Sequence, residues 1–232
     1  MTAESTTAEI TTTRRGRPRQ TPEQAEEVRA RIIRATAEVF ARTGSHNLSV
    51  TQIIKQAGLA RPTFYRYFGN AIEPLHAVLD SSNDRLVSGI RTALADSSEP
   101  VDLGIRLIDA YLGWAYGHGP MLRPLFAEMH DSGSPVSAYR ERALDDIRGL
   151  VLEIFTDLDR TLPRPIDLDA ALHLCEYVVY RISADKGTGI ESDTETVAAA
   201  RLTMIRVLIT LLGSKDDMEY ALTMPSIFPT EP

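Results

Sequence analysis

From Val28 to Leu79 the sequence is VRARIIRATAEVFARTGSHNLSVTQIIKQAGLARPTFYRYFGNAIEPLHAVL. This stretch lies in a basic block of an acidic chain. Residues 14–67 hold eleven Lys/Arg and four Asp/Glu, residues 68–232 hold fourteen and twenty-six, and the whole chain has a net charge of −7. Positive charge gathered in one block predicts a module that binds a polyanion, joined to a body with another task.

A long first helix is predicted to begin at Thr21. The sequence Thr21-Pro22-Glu23-Gln24 supplies an N-cap, a proline at the first helical position and a capping-box partner. Gly44 is expected to end the helix, since glycine commonly follows a helix C-terminus. Apolar residues recur at helical spacing at Val28, Ile32, Ala35, Val39 and Phe40.

Two shorter helices are predicted next. Ser49-Val50-Thr51-Gln52 is a second capping box, and Gly58 is expected to stop the helix that it opens. The apolar face of this helix consists of Val50, Ile53, Ile54 and Ala57. The third helix is predicted to begin near Arg61-Pro62 and to extend to Phe68. Two short helices joined by a glycine-containing turn and supported by a longer one form a helix-turn-helix, here at about residues 49–68.

One face of the third helix is predicted to contact DNA. Phe64 and Phe68, four residues apart, would anchor the helix, whereas Thr63, Arg66 and Tyr67 share another face. Hydroxyl groups bond to phosphate oxygens, and a guanidinium can reach a guanine edge. A merely solvated polar face is the alternative. The candidate DNA-binding residues here are Thr51, Gln52, Lys55, Arg61, Thr63, Tyr65, Arg66 and Tyr67.

Residues 1–20 are predicted to be a disordered arm. They are rich in threonine, poor in large apolar residues and end in a basic cluster. Its arginines, Arg14, Arg15, Arg17 and Arg19, form a string that could lie in a narrow A·T-rich minor groove. A non-specific electrostatic tail is an equally weighted alternative, because a short basic run does not specify a groove.

The stretch 28–79 resembles the DNA-binding domain of the TetR family of transcriptional regulators. The resemblance is carried by the segments IIRATAEVFARTG, TQIIKQAG and LARPTFYRYFGN, which match that family's pattern in order and spacing. It implies that Thr51, Thr63, Tyr65, Arg66 and Tyr67 face DNA. It also implies that the C-terminal helices form a domain for ligand binding and dimerisation.

Three positions depart from the family pattern. Ala60 stands where a serine usually caps the third helix, and Ala71 stands where a lysine usually follows. Pro74 is also unusual, so the start of the fourth helix is expected to shift by a few residues.

The rest of the chain is predicted to be helical as well, so the fold class is all-α. Helices are expected at about 74–95, after Pro100, in a broken piece between Pro120 and His130, and at 137–158, 168–184 and 193–213. The predicted domains are a basic arm at 1–20, a helix-turn-helix domain at 21–72, a helical ligand-binding and dimerisation domain at 73–214, and a C-terminal tail at 215–232.

The last two helices are predicted to form a homodimer interface. Twelve of the sixteen residues in Val197–Leu212 are apolar, so this helix must be buried on more than one side. The preceding helix adds Ala171, Leu172, Cys175, Val179 and Ile182. A central helix of a monomeric core is the alternative.

A ligand pocket is predicted around the broken helical region. Its candidate residues are Tyr111, Trp114, His118, Met121, Phe126, Met129 and Phe155. Ordinary core packing is at least as strong an alternative for such residues. The five histidines show no metal-ligand spacing and Cys175 is the only cysteine, so no metal or cofactor is expected.

The predicted function is a cytoplasmic homodimeric repressor that a small-molecule effector releases from a palindromic operator in double-stranded DNA. A DNA-binding regulator controlled by a protein partner, with no pocket, is the alternative. An enzyme is a distant third, because no phosphate loop or nucleophile elbow is present and the pairs Asp145-Asp146 and Asp216-Asp217 suit solvated faces. No apolar run is long enough to span a bilayer, and no N-terminal segment has the apolar core of a signal peptide.

Overall fold

The computed structural model describes residues 21–95, 98–184 and 194–228, so the predicted arm lies outside the described residues. Within these ranges every regular element is helical, in agreement with the predicted all-α fold. The α-helices are α1 (Pro22–Thr43), α2 (Val50–Ala57), α3 (Arg61–Phe64), α4 (Ile72–Leu94), α5 (Pro100–His118), α6 (Leu122–Glu128), α7 (Pro135–Asp157), α8 (Pro165–Ala184), α9 (Thr194–Leu212) and α10 (Lys215–Leu222). A 3₁₀ turn, Gly119–Met121, joins α5 to α6.

Helix α1 belongs to two hydrophobic cores at once. The predicted capping box is present, with Thr21 Oγ1 accepting from the Gln24 N–H and the Gln24 side chain accepting from the Thr21 N–H. One face of the helix buries Ile32 in a small core with α2 and α3. Another face buries Phe40 in the larger core of the C-terminal helices. The position of the helix-turn-helix unit is therefore fixed by packing to the rest of the molecule.

The small core holds α2 and α3 against α1. Ile53 and Phe64 are fully buried there, and Phe68 is 6% exposed, so the predicted aromatic anchors are confirmed. Burying two phenylalanine side chains contributes about 3–6 kcal/mol to stability. We expect Phe64→Ala alone to cost about 3–5 kcal/mol, enough to detach α3.

Helix α4 begins at Ile72 and not at Pro74 as expected. Asn70 Oδ1 accepts the N–H groups of Ile72 and Glu73 at 2.9 and 3.0 Å. The Glu73 carboxylate in turn accepts the Gly69 N–H at 2.7 Å. Pro74 lies in the first turn, where a missing N–H removes no helical hydrogen bond.

The C-terminal helices enclose the larger core, and α8 packs along α9. Residues after 214 are not a simple tail, because α10 begins there with a capping box between Ser214 and Asp217. Ile227 is 2% exposed, and its carbonyl accepts both Nε and Nη2 of Arg206 at 2.9 and 2.7 Å. The segment 215–228 thus packs onto α9 and covers its end.

Candidate functional site

The turn between α2 and α3 is built around Gly58. This residue is in the left-handed conformation with φ of 61°, and its N–H bonds to the carbonyl groups of Ile54 and Lys55. The predicted cap of α2 is present in part. Ser49 Oγ accepts the Gln52 N–H, but the Gln52 side chain accepts from the Ser49 hydroxyl at 2.7 Å and not from its N–H as in a full capping box.

Helix α3 is shorter than predicted. It ends at Phe64, and residues 65–67 form a turn before the buried ring of Phe68. Ala60 has extended dihedral angles suited to an N-cap, with φ of −77° and ψ of 146°, but makes no side-chain cap bond. With four residues and no cap, α3 is held by its aromatic anchors and by Gly58, since so short a helix is not stable by itself.

The predicted DNA-contacting residues lie on the surface of the helix-turn-helix unit. The exposed ones are Thr51, Lys55, Arg61, Tyr65 and Arg66, whereas Gln52, Thr63 and Tyr67 are half-buried. Tyr67 packs against the small core, so less of its ring is available to a partner than was expected. The Arg61 guanidinium lies 5.9 Å from the centre of the Tyr65 ring, a cation–π contact that orients both side chains.

A cavity of about 110 Å³ lies between α4, α5, α6, α7 and α8. Four of the seven predicted pocket residues line it: Tyr111, Trp114, Phe126 and Met129. The Tyr111 and Trp114 rings stack at 5.7 Å with an interplanar angle of 11°. Leucine, isoleucine and valine side chains supply most of the remaining wall.

Three predicted pocket residues lie outside this cavity. Phe155 lines a second cavity of about 90 Å³ nearer the start of α5. Met121 is buried in the larger core. His118 is buried with both ring nitrogens bonded, one to the Ser82 hydroxyl at 2.8 Å and one to the Trp114 carbonyl at 2.7 Å. Burial lowers the pKa of His118, so the ring is held as a neutral part of the structure.

Polar groups in the first cavity are few. Arg140 donates through Nε and Nη2 to the two carboxylate oxygens of Glu176 at 2.8 and 2.7 Å, and through Nη1 to Glu141 at 2.7 Å. The Glu176 hydrogen bonds and charge raise the pKa of Arg140. Burial raises the pKa of Tyr111 well above its ordinary value, with further increases from Glu176 and Cys175, so its hydroxyl remains a proton donor.

A buried hydrogen-bonded group, the Glu128 network, joins the helix-turn-helix unit to the helices around the cavity. It consists of Glu128 at the end of α6, Ser134 at the N-cap of α7 and Ser45 just after α1. Glu128 Oε1 accepts the Ser45 N–H at 2.8 Å, and Oε2 accepts the hydroxyls of Ser45 and Ser134, the latter at 2.6 Å. All three residues are at most 9% exposed. Nothing in the sequence periodicity indicates this contact between residues 83 positions apart.

Two features at the surface support the Glu128 network. Gly44 has φ of 69°, and any Cβ atom there would clash with Glu128 Oε1. His46 Nε2 lies 2.6 Å from Asp131 Oδ2, in the loop between α6 and α7. The hydrogen bond that His46 donates to Asp131 raises the pKa of His46, with smaller contributions from the charges of Asp131 and Glu128.

The outer face of α8 exposes large apolar side chains, whereas the α8 residues predicted for a dimer interface, such as Ala171 and Val179, are buried in the core of the protomer itself. Ile166, Leu174, Tyr177 and Tyr180 are between 41% and 68% exposed. Helix α9, which packs along α8, also exposes two small residues, Ala199 and Thr203. Contiguous apolar surface of this kind marks a site of contact with another molecule.

Among the described residues, no three His, Cys, Asp or Glu side chains come together as metal ligands. No helix in the described ranges is long and apolar enough to cross a bilayer. The acidic pair Asp216-Asp217 is not a solvated face as expected. Asp217 is 9% exposed and is paired with Arg160, with Arg160 Nη1 at 3.1 Å from its Oδ1.

The geometry defines a helix-turn-helix unit on a larger helical domain with internal cavities. Residues 32–70 match the family described as Bacterial regulatory proteins, tetR family. The HTH-type transcriptional activator FasR of Mycolicibacterium smegmatis is 35% identical over 74 residues, which are 32% of this chain and 34% of that protein. The HTH-type transcriptional regulator SrpR of Pseudomonas putida is 43% identical over 63 residues, 27% of this chain and 30% of that protein. The match thus spans about a third of the length of these relatives.

Solved structures extend the likeness in fold to most of the chain. A tetR-family transcriptional regulator from Streptomyces coelicolor has a TM-score of 0.64 at 18% identity, covering 87% of this chain and 86% of its own. The fatty acid degradation regulator FadR from Bacillus halodurans also has a TM-score of 0.64, at 19% identity over 85% of this chain and 99% of its own. The helix-turn-helix unit therefore matches the TetR family model over residues 32–70, and most of the chain shares the fold of these solved structures.

Proposed function

We propose that this protein is a cytoplasmic, homodimeric transcriptional regulator that binds a palindromic operator and is released from it by a small-molecule effector. The observation that carries the proposal is the exposed polar surface of α2 and α3. These elements are held rigidly by Phe64 and Phe68, as a recognition helix that must fit a groove requires.

Each group on this surface has a role. Arg66 reads a base edge, since a guanidinium bonds two acceptors of guanine at once. Thr51, Lys55 and Tyr65 bond to phosphates, which sets the register without reading sequence. The arm with its four arginines adds counterion release, so deleting residues 1–19 lowers both the affinity and its dependence on salt.

Selection of genomic fragments by the purified protein tests the DNA proposal. We expect one enriched palindrome with half-sites one or more helical turns apart. Arg66→Ala should then lower operator affinity about tenfold or more, and Lys55→Ala should reduce the salt slope by about one. Arg164→Ala, an exposed arginine of the C-terminal domain, is the matched control and should change neither. If no palindromic site is enriched, the proposal is wrong.

The second copy required by a palindrome is proposed to cover the outer face of α8. A face with Ile166, Leu174 and Tyr177 exposed is costly in water, and the small residues of α9 let a helix approach closely. A four-helix interface formed by α8 and α9 of two copies buries these apolar side chains together with the small residues of α9. Sedimentation should give a dimer for the wild type and for Tyr220→Asp on α10, and a monomer for Tyr177→Asp.

The Glu128 network is proposed to carry the effector signal. Leu125, Phe126 and Met129 line the first cavity on either side of Glu128 in the sequence. A ligand that pushes this segment outward moves the carboxylate that holds Ser45, and with it the entry to α2. Effector and DNA then favour different arrangements of the contact between Glu128 and Ser45. Each ligand therefore lowers the affinity of the protein for the other.

Two assays separate this proposal from its alternatives. A broad thermal-shift screen in which no small molecule stabilises the protein would favour control by a protein partner. A reporter driven by the selected operator decides the sign of regulation. We expect repression, although the matched relative FasR is named an activator.

A further inference from the structure

The two cavities share three leucine side chains in their walls. Leu107 of α5, Leu172 of α8 and Leu208 of α9 line both of them. Along α5 the combined walls run from Pro100 to Trp114, which corresponds to about 20 Å at 1.5 Å per residue. Leucine side chains change rotamer without moving the backbone, so a ligand could join the cavities into one narrow channel.

The charged groups at this channel are already paired. In the first cavity the guanidinium of Arg140 donates two hydrogen bonds to the carboxylate of Glu176, whose side chain is 13% exposed. In the second cavity Arg160 is matched by Asp217. Burial by itself raises the pKa of Asp217. The hydrogen bonds that Arg160 and Ser214 donate to its carboxylate lower the pKa by more than burial raises it, so the net pKa is lowered and Asp217 stays ionised. An acidic ligand would have to displace a buried carboxylate, which is costly.

Tyr111 is a polar group of the cavity wall that a ligand can contact. Its side chain is half-buried and lines the cavity, and its hydroxyl makes no hydrogen bond to another residue in the described parts of the chain. Because burial raises the pKa of Tyr111, the phenol keeps its proton and can donate one hydrogen bond. A donor at the cavity wall with no protein partner among the described residues favours a ligand that brings an acceptor.

Resting on the effector control proposed above, we infer that the ligand is a neutral, elongated and largely apolar molecule. A single carbonyl or ether oxygen on it accepts a hydrogen bond from Tyr111, and its apolar part passes between Leu107, Leu172 and Leu208 into the second cavity. Free fatty acids are excluded by the paired guanidinium groups.

The single tryptophan of the chain makes this measurable without DNA. Trp114 lines the first cavity and stacks on Tyr111, so its fluorescence reports binding there. We would titrate the full-length protein with 2-decanone, with decanoate and with 2-hexanone, which is short enough for one cavity. We expect 2-decanone to bind at least ten times more tightly than decanoate.

Variants test the two halves of the inference. Tyr111→Phe should weaken 2-decanone binding about tenfold, while Tyr116→Phe, an exposed tyrosine on the same helix, should leave it unchanged. Leu107→Phe, which fills the junction, should weaken 2-decanone but not 2-hexanone. Circular dichroism and melting temperature verify that each variant is folded.

Tighter binding of decanoate than of 2-decanone, or equal ketone affinity in Tyr111→Phe, would overturn the inference. The operator selection is independent of these titrations. A protein that selects a palindrome but prefers decanoate loses the ligand class alone, whereas one that binds 2-decanone but selects no palindrome loses the regulatory proposal.

Discussion

Replacing Glu128 tests how strongly the two parts of the molecule are joined. Its carboxylate accepts three hydrogen bonds, from the Ser45 N–H and from the hydroxyls of Ser45 and Ser134. Hydrogen bonds to a charged group contribute about 1.5–3 kcal/mol each. The three bonds share one acceptor group, so their contributions are not additive.

Two substitutions divide this contribution into parts. In Glu128→Gln the amide oxygen still accepts the Ser45 N–H and the amide group donates to a serine hydroxyl. Neutral bonds are about half as strong as charged ones, so we expect a loss of about 1–2 kcal/mol. Glu128→Ala leaves three buried donors without their acceptor, and we expect a loss of about 3 kcal/mol or more.

Urea unfolding, followed by circular dichroism and by Trp114 fluorescence, measures both losses. Glu153→Gln is the control, because that carboxylate lies in an exposed pair 3.6 Å from Arg91 and should change stability by less than about 0.5 kcal/mol. A cycle that combines Glu128→Ala with Ser45→Ala should give a coupling of about 1–2 kcal/mol. A coupling below about 0.3 kcal/mol, or a Glu128→Gln loss no larger than the control, would refute the reasoning.

Three further predictions follow from caps and titrating groups. Ala60→Ser should cap α3 and raise the free energy of unfolding in urea by about 1 kcal/mol. Ser49→Ala should remove the cap of α2 and lower the free energy of unfolding by about the same amount. A loss of stability in Ala60→Ser would contradict the prediction. Burial raises the pKa of the Cys175 thiol to about 12. Iodoacetamide at pH 8 should therefore label Cys175 in urea but not in the native protein, as measured by mass spectrometry. Rapid labelling of the native protein would contradict a buried thiol. The raised pKa of His46 means that its stabilising contribution is complete below its ordinary value of 6.5 and is lost as pH rises through the raised value. The pKa of Asp131 is lowered, first by the Gly133 N–H and then by His46, so its contribution is complete above 3.8 and is lost as pH falls through the lowered value. The pair of His46 and Asp131 therefore stabilises the protein most in mild acid. NMR titration should place the pKa of His46 above 6.5 in the wild type and nearer 6.5 in Asp131→Asn. The same pKa in both proteins would contradict the prediction.

Local patterns were sufficient to predict the helix-turn-helix unit. The capping box at Thr21, the glycines at the ends of α1 and α2, and the spacing of Phe64 and Phe68 all act over a few residues, which a single sequence displays. Two further local signals are present in the sequence. Asn70 with Glu73 starts α4 earlier than expected, and Ser214 with Asp217 starts a helix where a tail was expected.

Contacts between distant residues could not be predicted in this way. The Glu128 network joins positions that no periodicity relates, and the pairing of Arg140 with Glu176 depends on how α7 lies on α8. His118 has the composition of a pocket residue, but the register of α5 against α4 gives its ring two internal partners. Whether a side chain faces a cavity or the core is decided by such packing.

Among the residues that the structure describes, those that form the small core of the helix-turn-helix unit all lie between Val28 and Ala71. Its contacts are short in sequence, so this unit can form early in synthesis, before the C-terminal helices exist. It can also be exchanged between related chains as a cassette by recombination. On the proposal that the Glu128 network carries the effector signal, a recombinant retains the coupling only where Gly44 and Ser45 still meet a carboxylate at position 128. Natural or designed chimeras should therefore succeed or fail at this junction, with the DNA-facing surface left unchanged.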